Sequence, residues 1–406
     1  MNIVIVSVNF FPAKDAESFC ATRFASALAR RGHNVHVVTT SAVSIVSDEI
    51  YQALVDSQVR ITRVPFSPRT RSIPAQFRYR CADWETTVMK DLIAATKNAL
   101  ASMDNAILMT RTYPVSSLIV GWHCRRLAKK WICHLSDPIP HATWMPKFSF
   151  APRKFMDWLK WRWIRHWISR GFAYADAISV TCPGALRYYR ERYPRSFGGK
   201  PKFVTTHIGD NRLDFLATKH FKRPAPGKMV LYAGELYASR KMDALADAVL
   251  KLNRKGLLCS LVHVGAGNDI DSALRLEFPS AYFRYSDSPG LAVSAAKEAD
   301  VLYVTDSITG LSYSPQILSK FVYQLFESKP LLIETAAEGI MHQCCVDYPE
   351  AGLFWIDRDN LNMTGEALEA ALNCDVGKID RSRIRQMFSE ETIVDDYVNN
   401  VQSLLR

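Results

Sequence analysis

Short apolar runs rich in β-branched residues alternate with segments of helical period along most of the chain. Residues 2–8 (NIVIVSV) read as a strand followed by the loop FFPAKDAES. In FCATRFASALARRGHNV, Phe24, Leu28 and the flanking alanines keep helical spacing until Gly32. VHVVTT is a second strand, and after the Arg-rich passage VPFSPRTRSIPAQFRYR a helix is expected near 84–103. AILMT, WICHL and AISVT are further strands separated by helices, the alternation of a parallel α/β sheet that ends near 205. The pattern restarts at 228 with MVLYAG, a helix over 241–255, LCSLVHVGAG, AKEADVLYVT, the helix in SKFVYQLFES and the strand in PLLIET. Gly, Pro and polar clusters fill the stretch between the halves, which marks a linker. The pattern predicts two doubly wound Rossmann-like domains, 1–205 and 206–388, facing a cleft where ligands sit outside the carboxyl ends of the strands. No fixed-period repeat is present, which excludes solenoids and propellers.

Composition narrows the class. The 406 residues are 48% apolar and 22% charged, as in soluble globular chains. Nine cysteines, odd in number and without a CxxC pair, suggest neither a disulfide framework nor a zinc site, and no metal is expected. MNIVIVSVNFF has no basic segment before it and no cleavage site after it, and no run of 18 uncharged apolar residues occurs, so a cytoplasmic protein is expected. The net charge of +11 is concentrated between Lys147 and Lys202, where 13 Lys/Arg face only Asp157, Asp176 and Glu191. Within APRKFMDWLKWRWIRHWISR, helical spacing places Met156, Leu159, Trp163 and Trp167 on one face, widened by Trp158, Trp161, Ile164 and Ile168. Cations around tryptophans suit the headgroup layer of an anionic membrane, so 153–170 is expected to dock on the inner face of the cell membrane. Nucleic acid is the competing partner and is not assigned. A core helix with a solvated basic face is the plainer alternative.

Four segments carry candidate chemistry. In LYAGELYASRKMDALADAV a strand ends at Gly234, and the loop bearing Arg240 and Lys241 leads straight into a helix, which offers amides and cations to a diphosphate. In VHVGAGND, Gly265 and Gly267 permit close backbone approach but fall short of the dinucleotide fingerprint, and no P-loop is present. In SPQILSKFVYQLFESKP, Ser319 is expected as an N-cap with Lys320 in the first turn, an unfavourable place for a cation unless an anion binds there. In WICHLSDPIPH, alternation separates Cys133, Leu135 and Asp137 from Ile132, His134 and Ser136, and Asp137 is expected to project from the strand end. His134 in such a strand is more often a satisfied core imidazole than a catalyst. His123 and His141 are weaker candidates, and no nucleophile elbow, HExxH or Cys-His signature occurs.

The opening MNIVIVSVNFFP with its helix-strand unit, ILMTRTYPVSSLIVGWHCRRLAKKWICHLSDP, LYAGELYASRK and LSKFVYQLFESKPLL occur in an order that resembles family 4 glycosyltransferases of the GT-B fold. The likeness extends to the branch that builds bacterial surface polysaccharides. It implies transfer of a sugar from a UDP- or GDP-linked nucleotide-sugar to a glycan or lipid-linked acceptor, with retention of configuration and without a metal or other cofactor. It also implies donor contacts from Gly234, Glu235, Arg240, Lys241, Gly265, Ser319, Lys320 and Tyr323, and an acceptor side including Phe11, Lys14, Arg111 and His134. Catalytic roles fall to Asp137, Arg240 and Lys320, and the last helix, within about 389–406, crosses back to the first domain. The chain departs from the family pattern at Pro315 and Tyr323, where many members have two glutamates, and at Glu235, where many have arginine. The usual glycine pair is absent from PAKDAESF, and Ser136 and Asp137 stand where a histidine is common. These losses give a second reading, a weakly active or inactive GT-B protein serving as partner subunit or glycan-binding module.

Overall fold

Parallel strands buried on both faces form the centre of each half of the chain. The computed structural model describes residues 1–13, 15–41, 55–66, 82, 87–140, 146–209, 221–236, 242–266, 281–285, 289–306 and 310–406. It divides into two compact units, Met1–Ile208 with Glu390–Arg406, and Gly209–Ser389.

The first unit holds strands β1 (Asn2–Ser7), β2 (Asn34–Thr40), β3 (Arg60–Val64), β4 (Ile107–Thr112), β5 (Lys130–Leu135), β6 (Ala177–Val180) and β7 (Lys202–Val204). All pair in parallel in the order β3-β2-β1-β4-β5-β6-β7, and Ile3 of β1 lies between Val35 and Ile107. The order reverses between β1 and β4, so loops at the carboxyl ends of these strands diverge and leave room for a ligand. Helix α1 (Ala16–Arg30) starts at Asp15, whose Oδ1 accepts from the Ser18 amide at 2.9 Å. It stops before Gly32, whose φ of +77° suits a residue without a Cβ. Helix α2 (Met89–Ala101) falls within the 84–103 expected, of which 84–86 lie outside the described residues. Helix α3 (Ser116–Cys124) packs so closely on β5 that a Cβ at Gly121 would fall 2.6 Å from the Trp131 ring.

Helix α4 (Pro152–Tyr174) corrects the expected orientation of the tryptophan stretch. Its buried residues are Ile164, Ile168, Gly171 and Phe172, all in the second half. Gly171 sets the approach, since a Cβ there would lie 3.2 Å from Cys133 Sγ on β5. Trp167 meets Trp122 of α3 edge-on at 6.2 Å, with Arg170 over the same Trp122 ring at 4.9 Å. Met156, Leu159, Trp163 and Trp167 are thus half-buried beside the true core stripe. Helix α5 (Pro183–Arg192) follows β6.

The second unit holds β8 (Lys228–Ala233), β9 (Cys259–Val264), β10 (Tyr282–Tyr285), β11 (Val301–Thr305), β12 (Leu331–Thr335) and β13 (Leu353–Asp357), parallel in the order β10-β9-β8-β11-β12-β13. Among the described residues its helices are α6 (Asp243–Arg254), α7 (Pro289–Glu298), α8 (Ser319–Gln324), α9 (Ile340–Asp347), α10 (Thr364–Leu372) and α11 (Ser382–Met387). Leu245 and Val249 of α6 and Leu368 and Leu372 of α10 form one apolar cluster with Val230 and Ile356 from the sheet. Arg381 donates to the carbonyls of Gln324, Glu327 and Ala351 at 3.0, 2.6 and 2.7 Å, which satisfies the carboxyl end of the short helix α8. Burial lowers that guanidinium to about 10.

The last helix, α12 (Glu390–Leu405), belongs to the first unit as the family likeness implied. Glu390 accepts two bonds from Arg30 at 2.8 and 2.6 Å, and Tyr397 meets Phe24 edge-on at 5.0 Å.

Candidate functional site

Polar chemistry gathers at the carboxyl edge of each sheet. In the second unit β8 runs out at Gly234, whose φ is +142°, and a Cβ there would fall 1.5 Å from Nζ of Lys320. Only glycine lets this ammonium lie against the strand end. Lys320 Nζ also stands 5.3 Å from the Tyr232 ring centroid, a cation–π contact. Gly265, at the end of β9, is pressed on the same place, because its Cβ would meet the Gly234 carbonyl at 2.0 Å. His263 is fully buried beneath them and its Nε2 donates to that carbonyl at 2.8 Å. Nδ1 is then left to accept from the Tyr282 hydroxyl at 3.4 Å. The backbone turn carrying Gly234 and Glu235 is held from below, and the Glu235 side chain is exposed above it.

The cap of α8 differs from expectation. Leu318 is the N-cap, Ser319 is the first helical residue, and no side-chain cap bond is made. The loop before the helix is held by a buried ion pair. Asp306, just past β11, and Arg358, just past β13, pair at 3.0 Å with side chains 0% and 1% exposed. Asp306 also accepts from Ser314 Oγ at 2.5 Å, from Thr335 Oγ1 at 3.3 Å and from Gln316 Nε2. Arg358 donates to the carbonyls of Leu311 and Tyr313 at 2.5 and 3.3 Å. Residues 311–316, which lead to Lys320, are therefore tied to three strand ends. Nearby, Glu334 accepts from Tyr303 at 2.6 Å and Thr305 at 3.1 Å, and burial raises its carboxyl above the usual range. Pro315 is buried in the tied loop, and Tyr323 is half-buried on α8. Sequence reasoning missed Asp306, Arg358 and His263. The available signal for the first two was a charged residue placed directly after the apolar runs VLYVT and LFWID. Arg240, Lys241 and Gly267 lie outside the described residues, as do Lys14 and His141.

In the first unit the edge is organised by an ion pair between α1 and β4. Arg111 Nε donates to Glu17 Oε1 at 2.8 Å, with the side chains 3% and 10% exposed. Arg111 Nη2 reaches Ser136 Oγ at 3.4 Å. Burial pushes the Glu17 carboxyl up, and Arg111 offsets this only in part. His134 lies within the sheet, its Nδ1 bonded to Ser179 Oγ at 3.0 Å, which donates onward to Thr205 Oγ1 at 2.9 Å. His134 Nε2 is buried without a hydrogen-bond partner. Burial, then the charges of Arg111 and His207, hold this imidazole well below its ordinary pKa, so it is neutral at pH 7. Asp137 is exposed just past β5, and its carbonyl accepts from Tyr189 at 2.6 Å. Phe11 is fully buried and packs edge-on to Phe19 at 5.2 Å, so its ring shapes the first loop from inside.

Two parallel α/β units of this kind, with the last helix returned to the first, constitute the GT-B fold, and comparison with solved structures agrees. The N-terminal domain of Candida albicans trehalose-6-phosphate phosphatase is similar at 12% identity over 99% of this chain and 97% of that one, with a TM-score of 0.62. S. aureus TarM, in a complex that includes UDP, is similar at 10% identity over 98% and 99%, with a TM-score of 0.60. An E. coli trehalose-6-phosphate protein bound with UDP-2-fluoro glucose is similar at 11% identity over 100% and 99%, also with a TM-score of 0.60. Residues 18–196 match a glycosyl transferase 4-like domain. No curated protein sequence matches this chain significantly.

Proposed function

We propose that this chain is a glycosyltransferase that takes a sugar from a UDP- or GDP-linked donor and passes it, with retention and without a metal, to a lipid-linked glycan in the building of a cell-surface polysaccharide. The observation that carries the reading is Lys320, whose ammonium rests against the bare Gly234 strand end in the first turn of α8. A diphosphate placed there meets the strand-end backbone and a fixed cation together. As the glycosidic bond breaks, negative charge grows on the diphosphate, and a preplaced ammonium stabilises it without reorganisation. Arg240 and Lys241 are assigned to the same phosphates, and Tyr323 to the nucleotide. Asp137 and Arg111 are assigned to the acceptor side, in keeping with the glycosyl transferase 4-like match that spans them. The UDP-containing complexes among the similar structures support the choice of donor. The protein is placed in the cytoplasm, at the inner face of the membrane.

Pro315 and Tyr323 favour the second reading, an inactive binding module, since neither supplies a carboxylate. The buried carboxylates nearby do not replace them, because Asp306 and Glu334 are fully engaged in structural bonds. Turnover of a panel of UDP- and GDP-sugars by wild type and Lys320→Ala separates the two. The transferase reading expects product from wild type and a rate lowered ~10²–10³-fold in the variant, the scale of one lost leaving-group contact. No product from any donor, or an unchanged rate in Lys320→Ala at saturating donor, overturns it.

A further inference from the structure

The first two turns of α4 and the residues just before them stand out from the rest of the surface. Phe150 is 89% exposed, Phe148 50% and Phe155 36%. They are contiguous: Phe148 meets Phe150 edge-on at 5.1 Å and Trp158 at 5.0 Å, and Phe155 stacks on Trp158 with centroids 6.0 Å apart. The fully buried residues of α4 begin at Ile164, and the exposed cluster lies at the helix start. Between residues 147 and 162 five cations accompany a single carboxylate, Asp157. The first turn contains no acidic residue, so the positive end of the helix dipole adds to that charge.

We infer that this aromatic tip, Phe148, Phe150, Phe155 and Trp158 flanked by Arg153 and Lys154, inserts among the headgroups of an anionic lipid leaflet. Phenylalanine edges suit the acyl boundary and the flanking cations suit lipid phosphates, the composition of an interfacial docking element. Single-stranded nucleic acid fits less well, because it stacks on successive open ring faces and two of the four rings are covered. Here Phe155 and Trp158 cover each other, and Arg162 lies over Trp158 at 4.8 Å. The inference places the contact in the first half of α4 and the preceding loop, and leaves Trp167 to packing against α3. It rests on the lipid-linked reading of the acceptor.

Cosedimentation of the full chain with phosphatidylcholine vesicles, with and without phosphatidylglycerol, tests it. Wild type should bind only the anionic vesicles and be released by high salt. Phe148→Ser with Phe150→Ser should weaken binding at least tenfold. Arg153→Gln with Lys154→Gln should weaken it about 25-fold at low salt, from roughly fivefold per cation. Both variants should bind UDP or GDP as wild type does. Wild type that ignores anionic vesicles while binding nucleotide overturns the docking inference alone. Vesicle binding without nucleotide binding overturns the transferase reading alone. Unchanged binding in either double variant, a dimer dispersed by the phenylalanine changes in place of vesicle binding, or displacement of vesicles by an oligonucleotide would also sink the docking surface.

Discussion

The carboxyl edges of the two sheets solve the same problem in different ways. The second unit presents backbone and one ammonium above two separate buried polar groupings, the Asp306–Arg358 pair, in which Arg358 Nε is unmet, and His263 under Gly234. The first unit presents an exposed carboxylate, Asp137, above a buried pair and a buried imidazole with one nitrogen unmet. Each edge leaves a buried nitrogen unmet, Arg358 Nε in one and His134 Nε2 in the other, so the two differ in what they expose: a backbone turn with an ammonium against a carboxylate. One suits a preorganised anion site. The other keeps a carboxylate exposed at the surface, where the acceptor is proposed to bind.

Breaking the platform should give the largest effect. Arg358→Met leaves the buried Asp306 without its counter-ion, which should cost about 3–5 kcal/mol of folding stability, while Arg358→Met with Asp306→Leu should recover most of it. Urea unfolding of the two variants checks this. Equal loss in both would mean that the pair contributes shape and not charge balance.

Much of this architecture was legible in the chain, and the rest was not, for reasons that are local. Strand periodicity located the first strands of both sheets because buried parallel strands are nearly continuous apolar runs, as Ile3–Val6 are. Strand β10, YFRY, escaped because none of its residues is buried and its apolar signal is weak. Gly234 and Lys320 were singled out separately, but their contact joins positions far apart in sequence and only the folded sheet brings it about. The stripe on α4 was misplaced because tryptophans and isoleucines surround the helix, so periodicity alone does not choose a face. Gly171 chooses it, by letting the backbone approach Cys133.

A smaller effect sharpens the contrast from the first sheet. His134 is held well below its ordinary value of 6.5, so below pH 6.5 the unfolded chain takes up a proton that the folded chain refuses. Stability should therefore fall as pH drops from 6.5 toward the folded value, with a slope of up to about 1.4 kcal/mol per pH unit from this group. His134→Asn can keep the bond to Ser179 and does not titrate. Its unfolding free energy should lose that part of the slope between pH 7 and 5. Parallel wild-type and variant profiles would show that His134 is protonated in the fold.

The central claim is that a nucleoside diphosphate binds where Lys320 meets Gly234. Calorimetric titration of UDP and of GDP into wild type and Gly234→Ala tests it most directly, because the added methyl occupies the position of the ammonium. Wild type should bind one of the two, and Gly234→Ala should bind it at least tenfold more weakly with its unfolding transition retained. Wild type that binds neither, or a variant that binds as wild type does, would contradict the assignment.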